Sequence, residues 1–412
     1  MVSANPKLHI LPVAGVRWGV AYAGIKSSTE YPSNDLALME LASGSQCAAV
    51  FTQNAFCAAP ITVAKNKLAS LAEQKDSSAI YLLINSGNAN AGTGDAGYRA
   101  AELSCQLVAE TINCDTQQVL PFSTGVIGQS LPVEKIQAVS DALNASLSTD
   151  NWSLAAEAIM TTDTVAKGFS RTMDIDGKSV SVSGICKGAG MIRPNMATML
   201  AYVATDAELA SKDLQELLEH VVQSSFNRIT VDGDTSTNDA CVLAATGQTG
   251  IKLDNRHASW HEFKLMLRLL FVDLATAIIR DAEGASKFIT IDVKGGRSSE
   301  ECLRVAYAVA ESPLVKTAFF ASDANWGRIL AAVGRAGVEN LDVESIKIYL
   351  DHLLICQQGG QASTYDEQKA MKIMGQQDIS VIIDLQRGSV DERVWTSDLS
   401  LDYVHINADY RS

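Results

Sequence analysis

The stretch CKGAGMIRPNMATMLAYVATDA, Cys186 to Ala207, sets one hydroxyl, that of Thr198, between a turn containing Gly188, Gly190 and Pro194 and an apolar run suited to a strand. Strand propensity alone accounts for a β-branched residue at the start of such a run. A second chemistry is open to the same residue. A threonine hydroxyl is a weak nucleophile until a base takes its proton, and one such base is the residue's own α-amine once the residue becomes a chain terminus. Only a cut of the Ala197–Thr198 bond exposes that amine. For the chain to cut itself, the hydroxyl must attack the preceding carbonyl in a strained turn and leave an ester that water hydrolyses, and glycine and proline suit such a backbone. The freed amine, with an ordinary pKa of about 7.7 to 8.0, is a competent general base near neutral pH.

Other patterns offer rival chemistry. GTGDAG (Gly92, Gly94, Gly97) has dinucleotide-loop spacing, follows an apolar strand and precedes a helical stretch, so an NAD-dependent oxidoreductase is the alternative enzyme. Against it, the strand is expected to end at Asn85, leaving several residues before the first glycine. DGDTSTND (Asp232 to Asp239) spaces oxygen ligands like a calcium loop, but Thr237 stands where that loop needs glycine and Leu243 where it needs glutamate. His257 and His261 have helical metal spacing, but a helix start at Ser259 separates them, and the bland reading of a solvated helix start is preferred. The eight cysteines are scattered singly and read as reduced, mostly buried thiols. No metal and no bound cofactor is expected.

Elements must position these groups, and composition bounds them. The chain has 412 residues, 47% hydrophobic and 19% charged, with a formal net charge of -14, which gives ample core and no basic surface for phosphate neutralisation; nucleic acid is set aside. The longest apolar run, Leu265 to Ile279, is broken by Arg268 and Asp273 and falls short of the ~20 residues that span a bilayer. The first residues resemble neither a signal nor a transit peptide, so no membrane partner and a cytoplasmic location are expected. SAIYLLIN (78–85) reads as a buried strand and DAGYRAAELSCQLVAETIN (95–113) as a helix. Asp176-Gly177 marks a hairpin. Leu214, Leu217, Leu218, Val221 and Val222 form one helical stripe. Ser259 and Glu262 form a capping-box pattern before a long helix ending near Gly284, followed by the strand KFITIDV.

The stretch KGAGMIRPNMATMLAYVATDA closely resembles the signature of the ornithine acetyltransferase family, also called glutamate N-acetyltransferase or arginine biosynthesis bifunctional protein. DLALMEL, AAVFTQNAFCAAPI, NSGNANAGTG, FSTGVIGQSLP, AIMTTDT, FNRITVDGDTSTND, RDAEGASKFITI, SPLVKTAFFASDANWGRIL and the ending NADYRS resemble it in the expected order. The resemblance implies a layered α/β sandwich of the self-processing aminopeptidase type with a smaller C-terminal α/β portion at about 285–400. It implies self-cleavage at Ala197–Thr198 into an α chain, 1–197, and a β chain, 198–412, paired as an α2β2 heterotetramer. Thr198 falls on the nucleophile, and Thr124 and Gly125 on the oxyanion hole. Thr161 or Thr162, Lys187, Thr198, Glu283, Asn407 and Ser412 fall on substrate-binding positions. The implied reaction moves acetyl from N2-acetylornithine to glutamate through an acetyl-threonine, with acetyl-CoA a further donor in some members. An uncleaved, non-enzymatic relative is the remaining alternative. Arg193 departs from the histidine more usual in the signature and adds a cation near the turn.

Overall fold

The protein's computed structural model describes residues 8–26, 33–73, 78–193 and 199–409. The described residues fall into two compact units: those within 1–188, 194–227 and 235–278 form the first, and those within 189–193, 228–234 and 279–412 the second. Thr198, Ala197, Pro194 and Ser412 lie outside the described residues.

In chain order the first unit holds β1 (Val16–Ala21), β2 (Leu36–Leu41), β3 (Gln46–Phe51), α1 (Ala59–Glu73), β4 (Ile80–Asn88), α2 (Gly94–Ile112), β5 (Val119–Val126), α3 (Val133–Ala145), α4 (Trp152–Ala158), β6 (Lys167–Ile175), β7 (Lys178–Lys187), β8 (Leu200–Thr205) and α5 (Ser211–Gln223). The short β9 (Ile229–Thr230) belongs to the second unit; β10 (Ala240–Ala245) and nearly all of α6 (Trp260–Arg280) return to the first. One sheet has the order β1-β2-β4-β5, the other β3-β10-β8-β7-β6. Their inner faces share a core in which Trp18, Leu82, Ile84 and Phe122 of the first sheet meet Ile185, Leu200, Tyr202 and Val242 of the second. Outside the first sheet Leu36, Leu38 and Leu83 pack on Cys105 and Val108 of α2 and Ile136 of α3. Outside the second, the missing side chain of Gly184 lets Leu270 and Leu274 of α6 come close. The unit is therefore four layers, α/β/β/α, as two-faced burial of both sheets requires.

The local chemistry explains the elements. Asp176 and Gly177, with φ of 52° and 74°, make the tight turn joining β6 to β7, where Ile175 pairs with Lys178. The five apolar residues of α5 are all buried. In α6, Ser259 stands one residue before the helix, its carbonyl accepting from the Phe263 amide. One expectation is corrected: β4 does not end at Asn85 but runs through Ser86 and Gly87 to Asn88, because these polar residues pair with Thr124, Gly125 and Val126 of β5.

The second unit adds β11 (Phe288–Gly296), α7 (Ser299–Ala310), α8 (Pro313–Phe320), α9 (Trp326–Gly334), β12 (Lys347–Leu350), β13 (Leu353–Gln357), β14 (Gly360–Gln361), α10 (Glu367–Met374), β15 (Asp378–Asp384), β16 (Val390–Ser397) and α11 (Leu401–Ala408). Its mixed sheet runs β14-β13-β12-β15-β11-β16-β9. Alternation places Ile289, Ile291 and Val293 of β11 in one core with Val305 of α7, Phe319 of α8, Ile329 of α9 and Ile373 of α10.

Candidate active site

In the first unit the candidate residues gather between the two sheets. Lys187 closes β7, and Leu200 and Ala240 lie in its register row on β8 and β10; both pack into the core between the sheets, which orients that row towards the facing sheet. The Lys187 ammonium crosses to donate to the Thr124 hydroxyl of β5 at 3.2 Å, and both residues are buried. Gly125 follows Thr124 with φ of 133°, and a Cβ there would fall 2.3 Å from the Gly87 carbonyl carbon and 2.5 Å from the Asn88 nitrogen. Only glycine permits this approach of β5 to the irregular end of β4.

Buried side-chain amides fix that irregular end. Asn238 donates to the carbonyls of Ala89 at 2.6 Å and Ser123 at 2.9 Å, Ser123 donates to Asn85 at 2.6 Å, and Asn85 donates to the Asn88 carbonyl at 2.8 Å. Residues from NSGNANAG, FSTG and TND thus interlock around Thr124, three of the four bonds ending on backbone carbonyls and the fourth joining Ser123 to the Asn85 side chain. Beside Asn238, the Asp239 carboxyl is 3% exposed and its Oδ2 has no hydrogen-bond partner among the described residues. Burial pushes it well above the usual carboxylate range, against the smaller pull of hydrogen bonds from Ser236 and the charge of Lys187.

Thr161 and Thr162 lie in the turn after α4, where the Thr161 amide donates to Asp163 Oδ2 at 3.0 Å. Asp163 Oδ1 accepts from Lys167 at 2.6 Å and from the Gly188 amide at 2.7 Å. One buried carboxylate therefore joins the threonine turn to the Lys187-Gly188 end of β7. Burial pushes the Asp163 carboxyl up, but Lys167, Lys187 and the Gly188 amide together outweigh it and hold the group at about 2. Sequence reasoning missed Asp163; its signal was an acid inside a threonine pair's turn with Lys167 four residues on.

In the second unit, Glu283 and Asn407 come together: Asn407 Nδ2 donates to Glu283 Oε2 at 2.7 Å and to the Tyr403 carbonyl at 2.9 Å. Glu283 is 8% exposed, and a Cβ on Gly190 would lie 2.4 Å from its carboxyl carbon. Neither Lys187 nor Glu283 is the solvated charge that its residue type alone suggests. Thr198, Ala197 and Ser412, which the sequence assigned to the nucleophile, the cut and a substrate contact, lie outside the described residues.

The rival patterns find other roles. Asn90 Nδ2 donates to the Gly97 carbonyl at 2.9 Å and Thr93 donates to Asn90 Oδ1 at 2.9 Å, so side chains of the Gly92–Gly97 loop occupy its own turn. Asp232 accepts backbone amides from residues 191 and 192. His257 meets Asp176 at 3.2 Å, and no cluster of three potential metal ligands occurs among the described residues. None of the cysteines is in a disulfide, and no described helix is long and apolar enough to cross a membrane.

Comparison with known proteins follows this geometry. The arginine biosynthesis bifunctional protein ArgJ of Pseudomonas fluorescens (strain Pf0-1) is 51% identical over 410 residues, 99% of this chain and 98% of that one. The protein of the same name from Pseudomonas syringae pv. tomato is 50% identical over the same length and shares. A solved arginine biosynthesis bifunctional protein from Bacillus halodurans is 38% identical with a TM-score of 0.47, covering 49% of this chain and 95% of its own. The ArgJ family description matches residues 17–412, and with relatives half identical along nearly their whole length the chain belongs to the ArgJ family.

Proposed function

We propose that this protein transfers acetyl from N2-acetylornithine to glutamate, giving ornithine and N-acetylglutamate, as an enzyme of arginine biosynthesis. The observation that carries the reading is the buried hydrogen bond from Lys187 to Thr124, set among the polar motifs of a chain that belongs to this family. The Thr198 hydroxyl attacks the acetyl carbonyl while the α-amine freed by cleavage accepts its proton. The tetrahedral oxyanion is met by the Thr124 hydroxyl, whose proton Lys187 leaves free by donating its own, and by the Gly125 amide. The C–N bond breaks, ornithine leaves with the proton, and an acetyl ester remains on Thr198. The glutamate amine then attacks that ester, losing a proton as the Thr198 hydroxyl reforms.

Lys187 is suited to a substrate carboxylate, and Glu283 with Asn407 to an ammonium. Thr161 or Thr162 adds a hydroxyl contact, and Ser412 a C-terminal one. No bound cofactor enters the reaction. Because the relatives are named bifunctional, acetyl-CoA is proposed as a second acetyl donor. The α2β2 assembly of cut chains and a cytoplasmic location complete the reading.

Purified protein should run as two bands on a denaturing gel, one with Thr at its N-terminus, and should move labelled acetyl from N2-acetylornithine to glutamate. Thr198→Ala should give one inactive band of 44.0 kDa. An active, uncut wild-type chain would refute the mechanism, and acetyl transfer by the Thr198→Ala protein would refute the nucleophile.

A further inference from the structure

The five residues 189–193, which precede the proposed cut by only a few positions, are held by the second unit at every step. The Ala189 carbonyl accepts the Glu283 amide at 3.0 Å. Gly190 lies against the Glu283 carboxyl so closely that no side chain fits. Met191 and Ile192 donate their amides to the two oxygens of Asp232, at 2.7 and 2.9 Å, and the Ile192 carbonyl accepts the Val231 amide at 2.7 Å. Arg193 pairs with Glu311 at 2.7 Å and stands over the Tyr307 ring at 4.5 Å.

Within this set Asp232 has a distinct task. Met191 has φ of 53°, in the left-handed region that a residue with an unbranched apolar side chain enters only at a cost. The residue is 41% exposed, so it is not held there as part of the buried core. What the left-handed turn gains is two successive amides converging on one acceptor, and Asp232 is that acceptor. The carboxylate is in turn fixed by the Tyr403 hydroxyl at 3.1 Å and the Asp234 amide at 3.2 Å. The sequence pattern that imitates a calcium loop thus presents its first acid to backbone amides.

We propose that Asp232 is a positioning residue for self-cleavage: it anchors the Met191-Ile192 amides a few residues ahead of the Ala197–Thr198 bond, and the rate of cutting depends on that anchor. This rests on the cleavage reading above. A self-attack in which nucleophile and carbonyl are neighbours in one backbone depends on the turn's conformation more than on any external group, so loosening its anchored side lowers the fraction of chains poised to react. Asp232, Tyr403 and Asp234 all follow the proposed cut in sequence, whereas 189–193 precede it, so the same contacts tether the α fragment's end to the β fragment afterwards.

The test is a time course of processing after cell-free synthesis of the full chain, read as conversion of one band to two, beside thermal melting of each variant. Asp232→Asn, of equal size but turning a donor on an amide, should slow conversion about tenfold or more, as does Asp232→Ala, while Tyr403→Phe has a smaller effect. Met191→Asn in the Asp232→Asn background should recover about threefold or more, because asparagine tolerates the left-handed region; a merely structural defect at Asp232 would not respond. If Asp232→Asn fails to melt cooperatively, slowed conversion in the folded Tyr403→Phe chain still supports the proposal, and wild-type conversion there overturns it. Wild-type conversion in both folded Asp232 variants likewise overturns it while leaving the function intact. A wild-type chain that never converts refutes the cleavage reading and this inference together.

Discussion

Lys187 and Thr124 meet across the two sheets of the first unit, ammonium to hydroxyl at 3.2 Å, each from the last residues of its own strand. The donated proton leaves the threonine hydroxyl with its own hydrogen to give, which is what an oxyanion needs. Replacing Thr124 with Val keeps the strand and removes that donor. The expected result is a fall in kcat of about 10²–10³ with KM nearly unchanged, measured by steady-state acetyl transfer.

Asp163 supplies a pH dependence. Its carboxyl, raised by burial but lowered further by Lys167 and Lys187, sits at about 2 against an ordinary 3.8. A depressed acid stabilises the fold above its unfolded pKa, and that contribution is lost as pH falls through the folded value. Asp163→Asn should therefore destabilise the protein by roughly 3–5 kcal/mol at pH 7, since it leaves Lys167 buried without its counter-charge. The stability gap between wild type and variant, followed by urea denaturation, should narrow by roughly 2 kcal/mol from pH 4 to pH 2, the worth of the shift from 3.8 to about 2; a gap constant with pH would contradict the assignment.

Lys316 predicts the opposite flank. Burial lowers it to about 8, against the pull of Asp398, Asp232 and Glu311, while it donates to Thr396 at 2.9 Å and to the Ser397 carbonyl. Between about 8 and 10.5 the unfolded chain binds more protons than the folded one, so stability from this group rises with pH across that window. The stability of wild type relative to Lys316→Met should increase from pH 8 to pH 10, in chemical denaturation followed at both values.

Asn407 offers a substrate test with little structural risk, since it is exposed on α11 and yet bonded to Glu283. Asn407→Ala should raise KM for N2-acetylornithine about tenfold, the worth of one charge-assisted hydrogen bond, with the melting temperature unchanged. Equal effects on acetyl-CoA turnover would instead place Asn407 outside recognition of the ornithine tail.

Local patterns predicted the elements well where one force dominates. The stripe of α5 and the Asp176-Gly177 hairpin follow from burial period and from the left-handed φ that only a few residues accept. The end of β4 was misread because Ser86, Gly87 and Asn88 look like loop, and what keeps them in the sheet is β5, a partner more than thirty residues away. For the site, Lys187 and Glu283 read as surface charges in isolation, and only the family motifs marked them. Asp232 was invisible as an organiser because it gathers backbone amides, which carry no residue-specific signal, and a tyrosine 171 residues away; Asp163 left only the faint trace of Lys167 four residues on, its bond to the Gly188 amide leaving none.

The strand order β3-β10-β8-β7-β6 places β8 and β10, which follow residue 198, between β3 and β7, which precede it. A nick ahead of β8 would leave the middle of this sheet stitched from two polypeptides, neither able to complete its own ladder. Before the nick, recovery from denaturant is a first-order event; afterwards it becomes an encounter between separate molecules, slower with every dilution. Cleavage would then act as a ratchet, converting a chain that can find its shape again alone into one whose persistence depends on never coming apart.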